Sequence, residues 1–361
     1  MEDIERLVYT AATRAEHFLS LSYSDVSISE KSLDVLPNIG SESGEYTEVQ
    51  ITETLSLTET LESDLSSLAS LPFISEEEAF LRERIEKNFR MNVSALQNFL
   101  DITSWGPVSF VKRSLLRFPQ AKNIAACYGT AIHEWLEHFF TDYKRTGLFS
   151  KDILLTKFEE SLTKEGFSDD ILRDYLERGK ENLLALYPEI SGKKYHQLEL
   201  EYNFSLMGGV WLPREGSDAI QLTWKIDKVE ILEDDSLIIT DFKTWKWFER
   251  FDFKWAEYLK VKQWKYHLQL AFYAVLFELS PRFAMYGRKQ YELFFVEKNQ
   301  KDDSLYRITE YIQDGEKERT KALIKAVMSK IENLDFPDTS HYPQTLAGIR
   351  QFEEDLLEGT V

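Results

Sequence analysis

The sequence predicts a protein of the α/β (or α+β) class, with a central mixed β-sheet flanked by α-helices. Two observations carry this expectation. Long segments with apolar residues at helical spacing surround a cluster of short β-rich segments, in the order helices, strands, helix, strand, helix. Within the cluster, residues 221–232 and 237–243 are joined by Glu233-Asp234-Asp235-Ser236, a turn by composition, which makes a hairpin.

Three stretches follow one another. In residues 1–25, Ile4, Leu7, Val8 and Ala11 fall at helical spacing, and Phe18 to Tyr23 alternate like a strand. One helix and one strand bury no core. Residues 26–88 read as a linker: from Ser32 to Leu81 there is no Lys or Arg, against eleven acidic residues. A helix is expected from about Ser75, with Glu76, Glu77 and Glu78 in its positive first turn. Residues 89–361 form the main domain. It opens with a helix capped at Ser94 and continues with helices near 130–143, 151–163 and 169–186. Strands are expected at 196–207, 221–232 and 237–243, then a helix at 256–279, a strand at 290–297 and a helix at 317–333.

Composition narrows the function. The chain has 361 residues, 43 basic and 62 acidic, for a net charge of −19. That argues against coating nucleic acid through bulk charge, yet permits a local basic site. Cys127 is the single cysteine, so an intramolecular disulfide, a Cys-built zinc site and an iron–sulfur cluster are excluded for this chain alone. The most apolar run, about Leu268 to Phe277, is half the roughly 20 residues that span a bilayer. The Met1-Glu2-Asp3 start has no secretory pattern, and a cytoplasmic location is expected.

The chemistry concentrates in the hairpin. Asp227 lies near the start of its first strand and Asp241 near the end of its second, so folding brings the two carboxylates side by side. A strict four-residue turn would pair Leu232 with Leu237 and set the acids on opposite faces; a one-residue shift sets them on the same face, and that shift is the expectation. Two such carboxylates are hard oxygen ligands for Mg²⁺ or Mn²⁺. Lys243, two residues after Asp241, leaves the strand on the same face, where an ammonium orients water and opposes charge developing on a phosphate. On the helix following Gly129, His133 sits beside the apolar stripe Ile132, Trp135, Leu136, Phe139 and Phe140, and offers a nitrogen ligand; pairing with Glu137 is the plainer alternative. A zinc-protease reading of His133 and His138 fails, because five residues turn them to different faces.

Lys262, Lys265, Gln269 and Tyr273 fall at spacings of three and four, a cationic stripe that either tracks a phosphate backbone or is a solvated face. Residues 243–267 interleave cations with aromatics, among them Trp245, Trp247, Phe248, Phe251, Phe253, Trp255, Tyr258, Trp264 and Tyr266, as single-stranded nucleic acid requires unless these rings are core.

In this order the motifs resemble the RecB-like PD-(D/E)XK nuclease domain at the C-terminus of UvrD-type DNA helicases. The resemblance covers about residues 90–340 and rests on Ser94 to Asp101, Leu115 to Pro119, Gly129 to His133, Lys225-Ile226-Asp227-Lys228, Asp241-Phe242-Lys243-Thr244, Gln269 to Tyr273 and Phe295-Val296-Glu297. It implies a restriction-endonuclease-like core and metal-dependent, exonuclease-like hydrolysis of DNA beside a helicase in recombination or repair. It implies His133, Asp227 and Asp241 as metal ligands, Lys243 as the catalytic lysine, and Gln269 with Tyr273 as a supporting motif near the DNA. Trp224 stands where the family usually has glycine. Glu5 to Ala15 resembles the last motif of UvrD-type helicases, with Arg14 at the position that senses the ATP γ-phosphate. No Gly-x-x-x-x-Gly-Lys occurs, so ATP is not expected to bind this chain alone; the motor is expected on a partner chain or a missing N-terminal portion. The alternative is a catalytically silent module that holds DNA for a helicase.

Overall fold

The computed structural model describes residues 75–118, 124–149, 151–164, 169–206, 208–244, 248–254, 256–299 and 301–361. The expectations for residues 1–25 (Arg14 included) and 26–74 lie outside them, as do Trp245, Trp247 and Trp255. The elements in chain order are α1 (Ser75–Asn88), α2 (Val93–Leu100) and α3 (Gly106–Phe110), the last extended by a π turn, Val111–Leu115. Next come α4 (Ile124–Thr146), α5 (Lys151–Thr163) and α6 (Asp169–Ser191). The strands β1 (Gln197–Asn203), β2 (Val210–Leu212), β3 (Ile220–Leu222), β4 (Lys225–Ile231) and β5 (Leu237–Lys243) follow. The chain ends with α7 (Glu257–Leu279), β6 (Lys289–Phe295), β7 (Tyr306–Glu310), α8 (Asp314–Glu332) and α9 (Leu346–Glu358).

Five strands form one mixed sheet in the order β1-β4-β5-β6-β7, parallel only between β5 and β6. The central position of β5 follows from its composition. Leu237 and Ile239 face a first core shared with α7, α8 and α9, whereas Phe242 faces a second core shared with α4, α5 and α6. β6 alternates likewise: Leu293 and Phe295 enter the first core and Phe294 the second. The Phe242 ring stacks on Phe140 of α4 at 6.3 Å between centroids, which ties the His133 helix to the strand carrying Asp241. The sheet is thus covered on both faces by helices, the layout expected from the sequence.

Several boundaries differ from the sequence expectation for local reasons. Asn92, not Ser94, caps α2: its Oδ1 accepts from the Ala95 backbone N–H at 2.9 Å. The expected strand 221–232 is two strands, β3 and β4, broken at Thr223 and Trp224; β3 turns back on β2, and the Met91 N–H donates to the Gln221 carbonyl beside it. The short strands β2 and β7 carry too few periodic residues to be anticipated, and α9 adds to the expected elements with Leu346, Ile349, Phe352 and Leu356 at helical spacing. No described helix is long and apolar enough to cross a membrane.

α5 and α6 brace α4 through a tight crossing. A Cβ built on Gly179 of α6 would stand 2.1 Å from Cζ of Phe158, a fully buried ring on α5. Gly179→Ala should therefore lower stability by about 1–3 kcal/mol through overpacking, despite the better helix propensity of alanine. Gly315→Ala on α8 meets nothing within 4 Å and should not destabilise. Thermal melts of the two variants check the contrast.

Candidate active site

The hairpin of β4 and β5 adopts the shifted register. Ile231 pairs with Leu237 and Lys228 with Thr240, so the next position sets Asp227 against Asp241. The turn explains the shift. The Leu232 N–H donates to the Ser236 carbonyl, which draws both residues into the ladder and leaves a three-residue loop. Asp235 takes the left-handed conformation (φ 58°) that such loops need, and Asp234 Oδ1 accepts from the Ser236 N–H at 3.1 Å. A four-residue turn counted from composition misassigns Ser236, which belongs to the strand side.

Asp227 sits where two helical layers meet the sheet end. Its Oδ2 accepts from the Phe242 N–H at 2.8 Å, and its Oδ1 lies 3.4 Å from His133 Nδ1 on α4. α4 comes this close to β5 partly because Gly129, one turn before His133, has no side chain: a Cβ there would lie 3.1 Å from Thr244 Oγ1. The third member is Glu201 on β1. Ligand atoms of His133, Glu201 and Asp227 all lie within 4.8 Å of one another. Oxygen ligands bind Mg²⁺ at about 2.0–2.1 Å, so a slight inward turn of the side chains lets the three hold one ion, and the two carboxylates suit Mg²⁺ or Mn²⁺. The trio lines a pocket of about 550 Å³ together with Thr130, Glu137 and Lys225. Burial opposes charge on both His133 and Asp227, but their mutual attraction prevails. His133 is lifted to about 9, and Asp227 is held below the usual carboxylate range, the Phe242 N–H assisting.

Asp241 shares the hairpin face of Asp227 and is met there by α7. Tyr273 donates its hydroxyl to Asp241 Oδ1 at 2.6 Å, and Gln269 Nε2 donates to the same oxygen at 2.8 Å. Lys243 Nζ lies 2.6 Å from Asp241 Oδ2 and donates to Gln269 Oε1 at 2.8 Å. Trp224, the residue in the place of the family glycine, donates its indole N–H to the Tyr273 oxygen at 2.8 Å. Burial, reinforced by Asp227, lifts the Asp241 carboxyl above the usual range against the pull of Lys243. Burial and Asp241 push the Tyr273 phenol well up, so it stays a donor.

The structure therefore divides the expected cationic stripe of α7. Gln269 and Tyr273 are buried, 7% and 1% exposed, and point at Asp241 and not at solvent. The Lys265 ammonium is 2.5 Å from Asp101 Oδ2, a carboxylate 1% exposed, so its charge is already matched inside the fold. Lys243, Lys262 and Lys265 line a second pocket of about 490 Å³ with Tyr258, Tyr266 and Gln269. Burial, with Lys243 adding repulsion, lowers Lys262 to about 7. Among the aromatics of residues 243–267, Phe248 and Trp264 are buried, Phe251, Phe253 and Tyr266 pack against the first core, and Tyr258 is 69% exposed.

Two residues of this arrangement escape a reading of sequence. Glu201 lies among the alternating residues of β1 with nothing to set it apart from Glu199. Trp224 registers only as a departure from a pattern.

Residues 90–345 match the PD-(D/E)XK nuclease superfamily. A solved structure bearing the name "putative exonuclease", from Eubacterium rectale, is 13% identical with a TM-score of 0.45, over 74% of this chain and 87% of its own. The structure of SSO0001 is 13% identical with a TM-score of 0.24, over 65% of this chain and 84% of its own. No curated protein matches the chain. The matched span holds the hairpin acids, Lys243, His133 and the α7 network together, and the chain belongs to the PD-(D/E)XK nuclease superfamily.

Proposed function

We propose that the chain is a Mg²⁺- or Mn²⁺-dependent DNA nuclease, exonuclease-like, of the RecB-like branch. In this reading residues 89–361 are the nuclease domain, 26–88 an acidic linker, and 1–25, with Arg14, the remnant of a UvrD-type motor. The enzyme then works beside a helicase in recombination or repair. The observation that carries the nuclease reading is the shifted register, which sets Asp227 against Asp241 with His133 on one side and Lys243 on the other.

His133 and Asp227 would hold the divalent ion, with Asp241 across the hairpin. A bound ion supplies Lewis-acid polarisation of the phosphate and an acidified water. The residues of the chain do the rest. Tyr273 and Gln269 fix one Asp241 oxygen, so the carboxylate cannot rotate away. Gln269 also fixes Lys243, whose ammonium is set to orient the attacking water and oppose negative charge growing on the phosphoryl oxygens. Water adds its oxygen to phosphorus as a P–O ester bond breaks, and its proton passes to the leaving oxygen. The pocket that Lys262 shares with Lys243 and Tyr258 would take the adjoining strand by phosphate attraction and base stacking.

Cleavage of single- and double-stranded DNA should require Mg²⁺ or Mn²⁺ and stop with EDTA. Asp241→Ala or Lys243→Ala should lower kcat by about 10²–10³-fold; full activity in the double variant contradicts this mechanism. Tyr273→Phe leaves the Trp224 N–H and Asp241 each short of a partner, and should lower stability by about 1–3 kcal/mol together with kcat. Strand binding should respond to pH through Lys262, which faces Lys243, Lys265 and Glu297. Below about 7 its ammonium is present to meet phosphate; above it a proton must be taken up on binding, so affinity falls. Oligonucleotide binding in EDTA should weaken from pH 6 to 8, less steeply in Lys262→Met; equal slopes exclude the role of Lys262.

A further inference from the structure

Glu201 sits where β1 departs from regular strand geometry. The ladder with β4 runs from Leu200 opposite Lys228 to Tyr202 opposite Ile226, leaving Glu201 against Asp227. Leu200 packs on the second core and Tyr202 on the first, so the strand exchanges its faces across Glu201. The backbone meets this with φ of 47° at Glu201, a left-handed conformation that a side chain other than glycine adopts under strain. The consequence is directional: both neighbours enter cores, while the Glu201 carboxylate turns toward Asp227 and His133.

A cation already occupies this corner. Lys225, first residue of β4, forms an ion pair with Glu201 Oε2, a buried oxygen. Glu137 and Asp227 line the same pocket, so the Lys225 ammonium stands among carboxylates. The partners differ in freedom. The side chains of Glu201 and Asp227 are 12% and 13% exposed, whereas that of Lys225 is 53% exposed on a flexible stem. The negative groups are fixed by the sheet and the positive one is not.

Resting on the metal-dependent reading above, we propose that Glu201 is a further metal ligand whose position is held by the Lys225 ammonium in the metal-free protein, and that the divalent ion displaces Lys225 toward a phosphate of the DNA strand. The single charge of Lys225 limits repulsion among the acids while the site is empty of metal. A divalent ion brings twice the charge to the same point and wins the exchange. Lys225 stays tethered at the wall of the same pocket, beside His133 and Asp227, where a released ammonium has an anion to meet.

Titration calorimetry of the full chain with Mn²⁺ separates the two layers of this argument. Removing the competing ammonium in Lys225→Met should tighten Mn²⁺ binding about tenfold. Removing a ligand charge in Glu201→Gln should weaken it by about tenfold or more. With saturating Ca²⁺, Lys225→Met should bind a single-stranded oligonucleotide several-fold more weakly than the wild type. Unchanged Mn²⁺ affinity in Glu201→Gln, or no tightening in Lys225→Met, overturns the exchange while leaving the nuclease reading intact. Unchanged oligonucleotide affinity overturns the transfer of Lys225 to phosphate. A wild type that binds no Mn²⁺ overturns both layers. Lys225 is half-exposed, so its variant keeps the test open even if Glu201→Gln fails to fold.

Discussion

The site depends on the register of one hairpin. Side chains alternate along a strand, so a slip of one residue between β4 and β5 would send Asp227 and Asp241 to opposite sides of the sheet. The three-residue loop closed between Leu232 and Ser236, with Asp235 left-handed, selects the register that brings them together. That choice is reinforced from within the strands. Leu237 and Ile239 must enter one core and Phe242 the other, and the Phe242 N–H must be free to reach Asp227.

Given the register, the two helical layers contribute different chemistry. α4 carries His133 to the acidic side, and its path is fixed by Gly129 against Thr244 and by the stacking of Phe140 on Phe242. α7 brings Gln269 and Tyr273 to Asp241, beside Asp227 on the same hairpin face, where they bind its carboxylate and orient Lys243. The sheet end separates an acidic pocket from a lysine-lined one, and the Asp241–Lys243 pair lies at the border. The net charge of −19 is thus compatible with a local basic path, because the pocket of Lys243, Lys262 and Lys265 has no carboxylate in its lining.

Much of this was legible in the chain. The β-rich apolar run of Leu237 to Lys243 and the helical stripe around His133 announce their elements, and acid spacing across a turn announces a pair. The carboxylates and Lys243 are readable because their chemistry is short-range in sequence. Glu201 is not, since what distinguishes it from Glu199 is a backbone reversal forced by two cores on opposite faces. The stripe of Lys262, Lys265, Gln269 and Tyr273 was visible as a face of α7, yet periodicity cannot say what covers a face. Burial turned Gln269 and Tyr273 toward Asp241, and Asp101 claimed Lys265 from a distant helix end. Lys228, part of the same motif as Asp227, is likewise buried, with its ammonium 5.3 Å from the centre of the Tyr195 ring.

The central claim is that hairpin register assembles a metal centre at the end of β4. The most direct measurement is anomalous diffraction from crystals soaked in Mn²⁺. The account predicts a peak between the His133 ring and the Asp227 carboxylate, on the side where Asp241 faces across the hairpin. No peak there, with the β4–β5 register unchanged, would contradict it.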